Sequence, residues 1–271
     1  MEQPEPEDGD QHRSGSAGTD PAAYGESFAD VYDDWYGELS TEAELTDMVR
    51  CLMALAQPHE HPVILELGAG TGRLALPLAE AGTTVVALDG SAVMLQQMNT
   101  KTHSGPPAPL ALGANMALLP LQAASVDGAF VAYNTFFNLD TEAEQQQCLH
   151  EVARVLSPGG FLAIEAFTPV TDHDNVSPSL TRSPVSTYDR AVFVASRVDA
   201  SAQLINGAHL DLSPQGLRLR PWRIRYLTPD QLDRMAIAAG LTLGHRWNSW
   251  EQTPFDGTAG HHVSVYRHTG V

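Results

Sequence analysis

The sequence predicts an α/β fold: an open, mostly parallel sheet with helices on both faces, interrupted by an antiparallel β insert. Three observations carry it. From residue 62 onward, short continuous apolar runs alternate with helix-like runs, the pattern of strands buried on both faces and covered by helices. A Gly-x-Gly-x-Gly turn, Gly68 to Gly72, joins the first apolar run to a helix-like run. After Phe167 the regime changes to short runs separated by turn signals such as Asn206-Gly207 and Pro214-Gln215-Gly216.

Taken in order, residues 1–22 are acidic and rich in Pro, Gly and Ser, which predicts a disordered tail. An aromatic-dense stretch, "YGESFADVYDDWYGELS", precedes "STEAELTDMVRCLMALAQ", a helix pattern with Ser40 or Thr41 as N-cap; together they make a helical segment over 23–58. "PVILEL" and "TVVALD" read as buried strands, with "GRLALPLAEAG" between them as a helix closed by Gly82. Pro77 inside that run argues against an undistorted helix. "SAVMLQQMNT" is a second helix, "APLALGANM" a third strand and "VDGAFVAYNTF" a fourth. "TEAEQQQCLHEVARVLSPGG" is a helix with a Pro-Gly-Gly stop, followed by the strand "FLAIEAF". "TPVTDHDNVSPSLTRSP" reads as a loop opening an antiparallel insert over 171–227. A helix capped by Thr228 and two last strands, "LTLGHRWNSW" and "HHVSVYRHT", return to the first pattern, so the core is expected over 59–170 and 228–271.

Composition narrows the function. Asp and Glu number 33 against 15 Lys and Arg, a formal charge of −18 in 271 residues. Counterion release on nucleic acid needs clustered Lys and Arg, so no nucleic-acid partner is expected, nor an anionic membrane surface. The N-terminus lacks the apolar core of a signal peptide, and no apolar run approaches the ~20 residues of a membrane span. Cys51 and Cys148 sit alone in helix-like runs and read as buried free thiols of a cytoplasmic chain. No His or Cys cluster has metal-ligand spacing, so no metal is expected. A monomer or a homodimer fits equally.

Open parallel sheets bind ligands beyond the C-terminal ends of their strands, where the glycine turn lies. A dinucleotide fingerprint would place a third glycine where Arg73 stands, and no GxxxxGK[ST] phosphate loop exists. Asp89 ends the next strand, and a carboxylate can accept two hydrogen bonds from a diol.

The run "LELGAGTGRLALPLAEAG…VVALDGSAVML" resembles the cofactor region of the Rossmann-like (class I), S-adenosylmethionine-dependent methyltransferases, over residues 60–170. The resemblance implies a seven-stranded Rossmann-like sheet, an N-terminal helical lid over 23–58 and an insert covering the active site. It also implies S-adenosyl-L-methionine as cofactor, with S-adenosyl-L-homocysteine as product. The glycine turn, Gly68, Ala69 and Gly70, would pass beneath the cofactor's methionine part, with Glu66 assisting its amino end. Asp89, followed by Gly90, would hold the ribose hydroxyls. Asn115, where many relatives carry Asp, would accept from the adenine amino group, and Met116 would pack on the adenine face. Tyr133 completes the implied cofactor set.

"AYNTFFNL" is similar to a segment of glycine and amino-sugar N-methyltransferases that lies beside the transferring methyl group; Asn134 and Phe136 match, and Asn138 replaces a histidine. The N-terminal "FADVYDDWYGEL" resembles the family's lid, with Tyr32 as the matching tyrosine. The resemblance thus offers Tyr32 and Asn134 as catalytic candidates, and Tyr36 and Asn138 as substrate contacts; in the insert, His209 is the remaining base candidate and Arg225, ending a strand, a candidate contact to a substrate anion. The implied reaction is direct methyl transfer to a nitrogen or oxygen of a small-molecule acceptor, such as a natural product, or to a peptide N-terminus. Two other readings stay open: a non-catalytic scaffold keeping this fold, and an NAD(P)-dependent oxidoreductase, which the residue at Arg73 disfavours.

Overall fold

A computed structural model describes residues 22–37, 41–57, 59–102, 108–170 and 178–270; the acidic stretch expected to be a tail lies almost wholly outside the described residues. Two short helices, α1 (Ala23–Phe28) and α2 (Tyr32–Tyr36), precede α3 (Glu42–Leu55). Thr41 caps α3 in a capping box with Glu44. The core then runs β1 (Val63–Leu67), α4 (Ala75–Glu80), β2 (Thr84–Asp89), α5 (Ala92–Lys101), β3 (Leu110–Gly113), β4 (Val126–Val131), α6 (Glu142–Val155) and β5 (Leu156–Phe167). Next come β6 (Ser179–Arg182), β7 (Ala191–Asp199), β8 (Leu204–Ser213) and β9 (Gly216–Arg225). The chain closes with α7 (Pro229–Ala238), β10 (Leu241–Trp247) and β11 (His261–His268).

Seven strands form one sheet in the order β10-β11-β5-β4-β1-β2-β3. β11 runs antiparallel to both neighbours, and the other pairings are parallel. The apolar strands bury both faces. Leu65, Leu67, Val131 and Ile164 pack with α6 and α7, while Ile64, Val85, Phe130 and Ala163 pack with α3 and α4. Strand order reverses between β1 and β4, so a crevice opens beyond the ends of those two strands. β6 to β9 form a separate antiparallel sheet of four strands. Its buried face, with Val192, packs against Phe28, Val31 and Trp35 of the N-terminal segment and Met94 of α5.

Four local expectations need correction. Pro77 does not distort α4: the helix starts only at Ala75, so Pro77 sits in its first turn, where a backbone N–H has no intrahelical acceptor. Pro158-Gly159-Gly160 lies inside β5, where the register with β4 jumps from Val126↔Leu156 to Gly128↔Phe161. Part of the expected loop is a strand, β6. Asn206-Gly207 is not a turn but mid-strand in β8; Gly207 lies opposite Trp222, and a Cβ there would come within 2.2 Å of the indole ring. A close ring, not a bend, leaves no room for a side chain there.

Close approach also explains Gly128 in β4. An added Cβ would lie 2.1 Å from the fully buried Phe161 ring. Overpacking of this kind costs about 1–3 kcal/mol. Gly128→Ala is therefore expected to lose that much unfolding free energy in urea titration, and an unchanged midpoint would show that the ring yields freely.

Candidate active site

The glycine turn is built by backbone bonds between the ends of β1 and β2. Gly68 and Ala69 both donate their N–H to the Leu88 carbonyl at 2.8 Å. Gly70 donates to Asp89 Oδ2 at 2.8 Å, and Ser91 donates to Asp89 Oδ1 at 2.8 Å. Gly68 (φ +75°) and Gly70 (φ +55°) adopt the left-handed conformation that side chains resist. A Cβ on Gly68 would also strike Thr135 Cγ2 at 2.3 Å. Burial raises the Asp89 pKa, opposed by the two N–H donors. Each carboxylate oxygen keeps a lone pair beyond the one so engaged.

A cavity of about 460 Å³ runs over this turn. Its walls include Asp89, Gly90, Met94, Asn115 and Met116 after β2 and β3, Gly68, Gly70, Tyr32 and Thr135 at and over the turn, and Asn138, Trp222 and Arg223. A smaller chamber of about 170 Å³ adjoins it, sharing Tyr24, Tyr32, Thr135, Asn138 and Trp222, and adding Tyr133, Asn134 and His209. The structure thus gathers most of the sequence-derived candidates around two connected spaces. Asn115 is already partly engaged: its Oδ1 accepts from the Ala117 N–H at 2.8 Å.

Glu66 lies outside both walls. It is 5% exposed, and its Oε2 has no hydrogen-bond partner. Burial, then the Asp89 charge, raise its pKa well above the usual carboxylate range; Arg73 and the Ala75 N–H pull the other way. Arg73 donates to the Tyr36 carbonyl at 3.0 Å and to Tyr32 Oη at 3.3 Å, and stacks 3.9 Å above the Tyr133 ring. Those partners are all neutral, so its charge is uncompensated by them.

At the end of β4, Tyr133 (φ +53°) and Asn134 (φ +64°) are both left-handed. They are held by β5: Tyr133 donates its N–H to Glu165 Oε2 at 2.9 Å, and Asn134 Oδ1 accepts from Phe167 N–H at 2.6 Å. His209 on β8 lies among the rings of Phe28, Trp35 and Trp222. Its Nε2 is 3.3 Å from Tyr36 Oη. Burial, then the Arg220 charge, lower its pKa, so the imidazole is neutral at pH 7.

Like Glu66, three further candidates stand away from the two spaces. Arg225 reaches neither cavity: it donates to Gln145 Oε1 at 2.7 Å and Glu142 Oε2 at 2.8 Å, tying β9 to α6. Arg223, two residues earlier, stands in the wall instead, 3.4 Å from Asp140 and donating to Asn206 at 2.9 Å. Tyr36 lines neither space and touches the site only behind His209. Ala69 is buried beneath the turn and spends its N–H on Leu88. Sequence reading passed over Tyr24, Thr135, Trp222 and Arg73. Only Arg73 had a legible signal, a cation directly after the glycine turn.

The family model described as a methyltransferase domain matches residues 64–160. A solved structure, the CcbJ methyltransferase from Streptomyces caelestis, is 33% identical, covering 93% of this chain and 100% of that one, with a TM-score of 0.83. The chain belongs to the S-adenosylmethionine-dependent methyltransferases. The cypemycin N-terminal methyltransferase of a Streptomyces species is 28% identical over 241 residues, 88% of this chain and 94% of that protein. The S-adenosylmethionine-bound amino pentose methyltransferase CalS10 from Micromonospora echinaspora, involved in calicheamicin biosynthesis, shares the fold at 19% identity and TM-score 0.66, over 88% of this chain and 97% of that one. Among the described residues of the methyltransferase, no helix is long and apolar enough to cross a membrane, and no His, Cys, Asp and Glu group is placed to hold a metal. Cys51 and Cys148 are buried and unpaired.

Glu66 gives this site a pH signature. A carboxyl whose folded pKa is raised favours the folded state while protonated, and stability falls as pH climbs above the unfolded value of about 4.3. Glu66→Gln removes that fall. Melting temperatures of the ligand-free variant and wild type should coincide near pH 4 and diverge in the variant's favour toward pH 8; parallel profiles would contradict the raised pKa.

Proposed function

We propose that this methyltransferase holds S-adenosylmethionine along the larger cavity and methylates a nitrogen of a small natural-product-like molecule seated in the adjoining chamber. One observation carries the reading: the two spaces meet at Tyr32, Thr135, Asn138 and Trp222, directly over the glycine turn.

The residues present fit that cofactor. Asp89 offers free lone pairs to a ribose diol. Asn115 and Met116 supply a polar acceptor and an apolar face for adenine, the acceptor through the lone pair that Ala117 leaves unused. Arg73, whose hydrogen-bond partners are neutral, suits the cofactor's carboxylate; Glu66 lies outside both walls with an unpartnered oxygen, and an ammonium group reaching it would pull its raised pKa back down. When bound, the cofactor supplies an electrophilic methyl group on a sulfonium.

The chain's own share in a direct displacement is alignment and exclusion of water, which can supply up to about 7–11 kcal/mol. Tyr32 and Trp222 wall both spaces and so keep solvent from the junction. The choice of nitrogen rests on the likeness to enzymes named for amino acceptors. A hydroxyl acceptor needs a base to take its proton, whereas an amine that arrives unprotonated attacks without one. A peptide α-amine is the second reading, favoured by the likeness to the cypemycin enzyme.

The test is a panel of primary and secondary amines, N-terminal peptides, phenols and alcohols, with S-adenosylhomocysteine release and product mass as readouts. Turnover of small amines is expected. Turnover confined to peptides would favour the second reading, and turnover confined to hydroxyl acceptors would overturn both.

A further inference from the structure

The smaller chamber has a wall without ions. Tyr24, Tyr32, Tyr133, Trp222 and His209 line it, and among the described residues no Asp, Glu, Lys or Arg does. The chain carries 33 Asp and Glu, yet a cation held here meets no carboxylate in the wall. The tyrosine hydroxyls are spent elsewhere. Tyr24 is hydrogen-bonded to Tyr36, Tyr32 Oη accepts from Arg73 at 3.3 Å, and Tyr133 Oη donates to Met48 Sδ at 3.5 Å. Burial raises the pKa of Tyr24 and Tyr32, so both are neutral phenols, and His209 is neutral as well. What remains to line the chamber is ring surface, with the Trp222 indole seated against Gly207.

We propose that this chamber is an aromatic cage for an alkylated ammonium ion. Ring faces carry negative potential that attracts cations, tryptophan most strongly. An ammonium with several N–H groups gives up bonds to water that ring faces do not return. Each methyl in place of an N–H instead adds buried apolar surface. Affinity therefore rises from primary to quaternary ammonium, the reverse of a carboxylate site. The Tyr133 ring already hosts a cation: Arg73 lies 3.9 Å from its centre.

This rests on the reading above that the acceptor sits here, and it then names the acceptor's class: a secondary amine, which leaves as a tertiary ammonium. The nitrogen lone pair forms the new N–C bond while the S–C bond breaks with its electron pair left on sulfur; the N–H proton passes to water after release. Asn138 fits that class. It lines both spaces, and its carboxamide has no hydrogen-bond partner among the described residues. Its oxygen can accept the single N–H of a secondary amine and leave the lone pair free.

Calorimetric titrations of the full chain saturated with S-adenosylhomocysteine, whose carboxylate offsets Arg73, test the cage. The probes are tetramethylammonium, methylammonium, choline, and choline's neutral carbon isostere with tert-butyl in place of trimethylammonium. Tetramethylammonium should bind about tenfold tighter than methylammonium, and choline about tenfold tighter than its isostere. Trp222→Leu should erase the second difference, and Trp222→Tyr, which keeps a ring, should retain most of it. Equal binding of choline and its isostere, or methylammonium binding as tightly as tetramethylammonium, would overturn the cage even if amines are methylated. In turnover, an N-methyl secondary amine should outpace its primary parent, with choline competing against it; a faster primary amine would overturn the assigned class. Choline binding without that competition would uphold the cage and overturn the acceptor's placement.

Discussion

The hydrogen bond from the Gly70 N–H to the Asp89 carboxylate is the constraint on which the site depends. It joins the turn after β1 to the end of β2. The bond exists only because Gly70 adopts φ +55°. A buried carboxylate is costly unless it is hydrogen-bonded, and this one is met by two backbone N–H groups. The same two bonds aim Asp89 along the cavity wall. Without the glycine conformation the carboxylate would lose a donor, and the wall would lose its shape.

Around that fixed floor the rest of the site is a roof made from two distant pieces of chain. Arg220 on β9 is 1% exposed and binds Asp30 at 2.7 Å and the Ser27 carbonyl of the N-terminal segment. Asp211 on β8 pairs with Arg190, and both Arg190 and Arg220 lie over the Trp35 ring. The N-terminal segment is therefore fastened to the four-stranded sheet through the buried Arg220 and a half-exposed Asp30. It is fastened to the floor as well: Asp33 accepts from Thr71 at 2.6 Å and pairs with Lys101 at 2.7 Å. Tyr32, between these two anchors, is held over the glycine turn. Arg220 and Asp211 are buried, so removing the partner of either leaves an uncompensated charge.

Much of this was legible in the sequence, for physical reasons. Strands buried on both faces need unbroken apolar runs, so "VILEL" and "TVVALD" announced themselves, and a positive-φ turn beside a carboxylate leaves a mark in glycine spacing. What depends on three-dimensional neighbours was not legible. Arg225 and Arg223 occupy equivalent positions along one strand, and only the packing of α6 decides which reaches the cavity. Asn206-Gly207 has turn chemistry, yet the glycine answers to Trp222 across the ladder. Tyr36 looked like a contact residue, but its hydroxyl meets a histidine 173 residues away in the chain. Thr135 and Trp222 carry no local signal, because their importance lies in what they face.

The central claim is that the glycine turn and Asp89 together grip the adenosyl part of the cofactor. Calorimetric titration of S-adenosylhomocysteine into wild type and Asp89→Ala tests it most directly, with NAD as a control ligand. The account predicts binding to wild type, more than about tenfold weaker binding to the variant, as expected for loss of charge-assisted bonds to a diol, and no binding of NAD. Equal affinity in both proteins, or binding of NAD in place of the adenosyl compound, would contradict it.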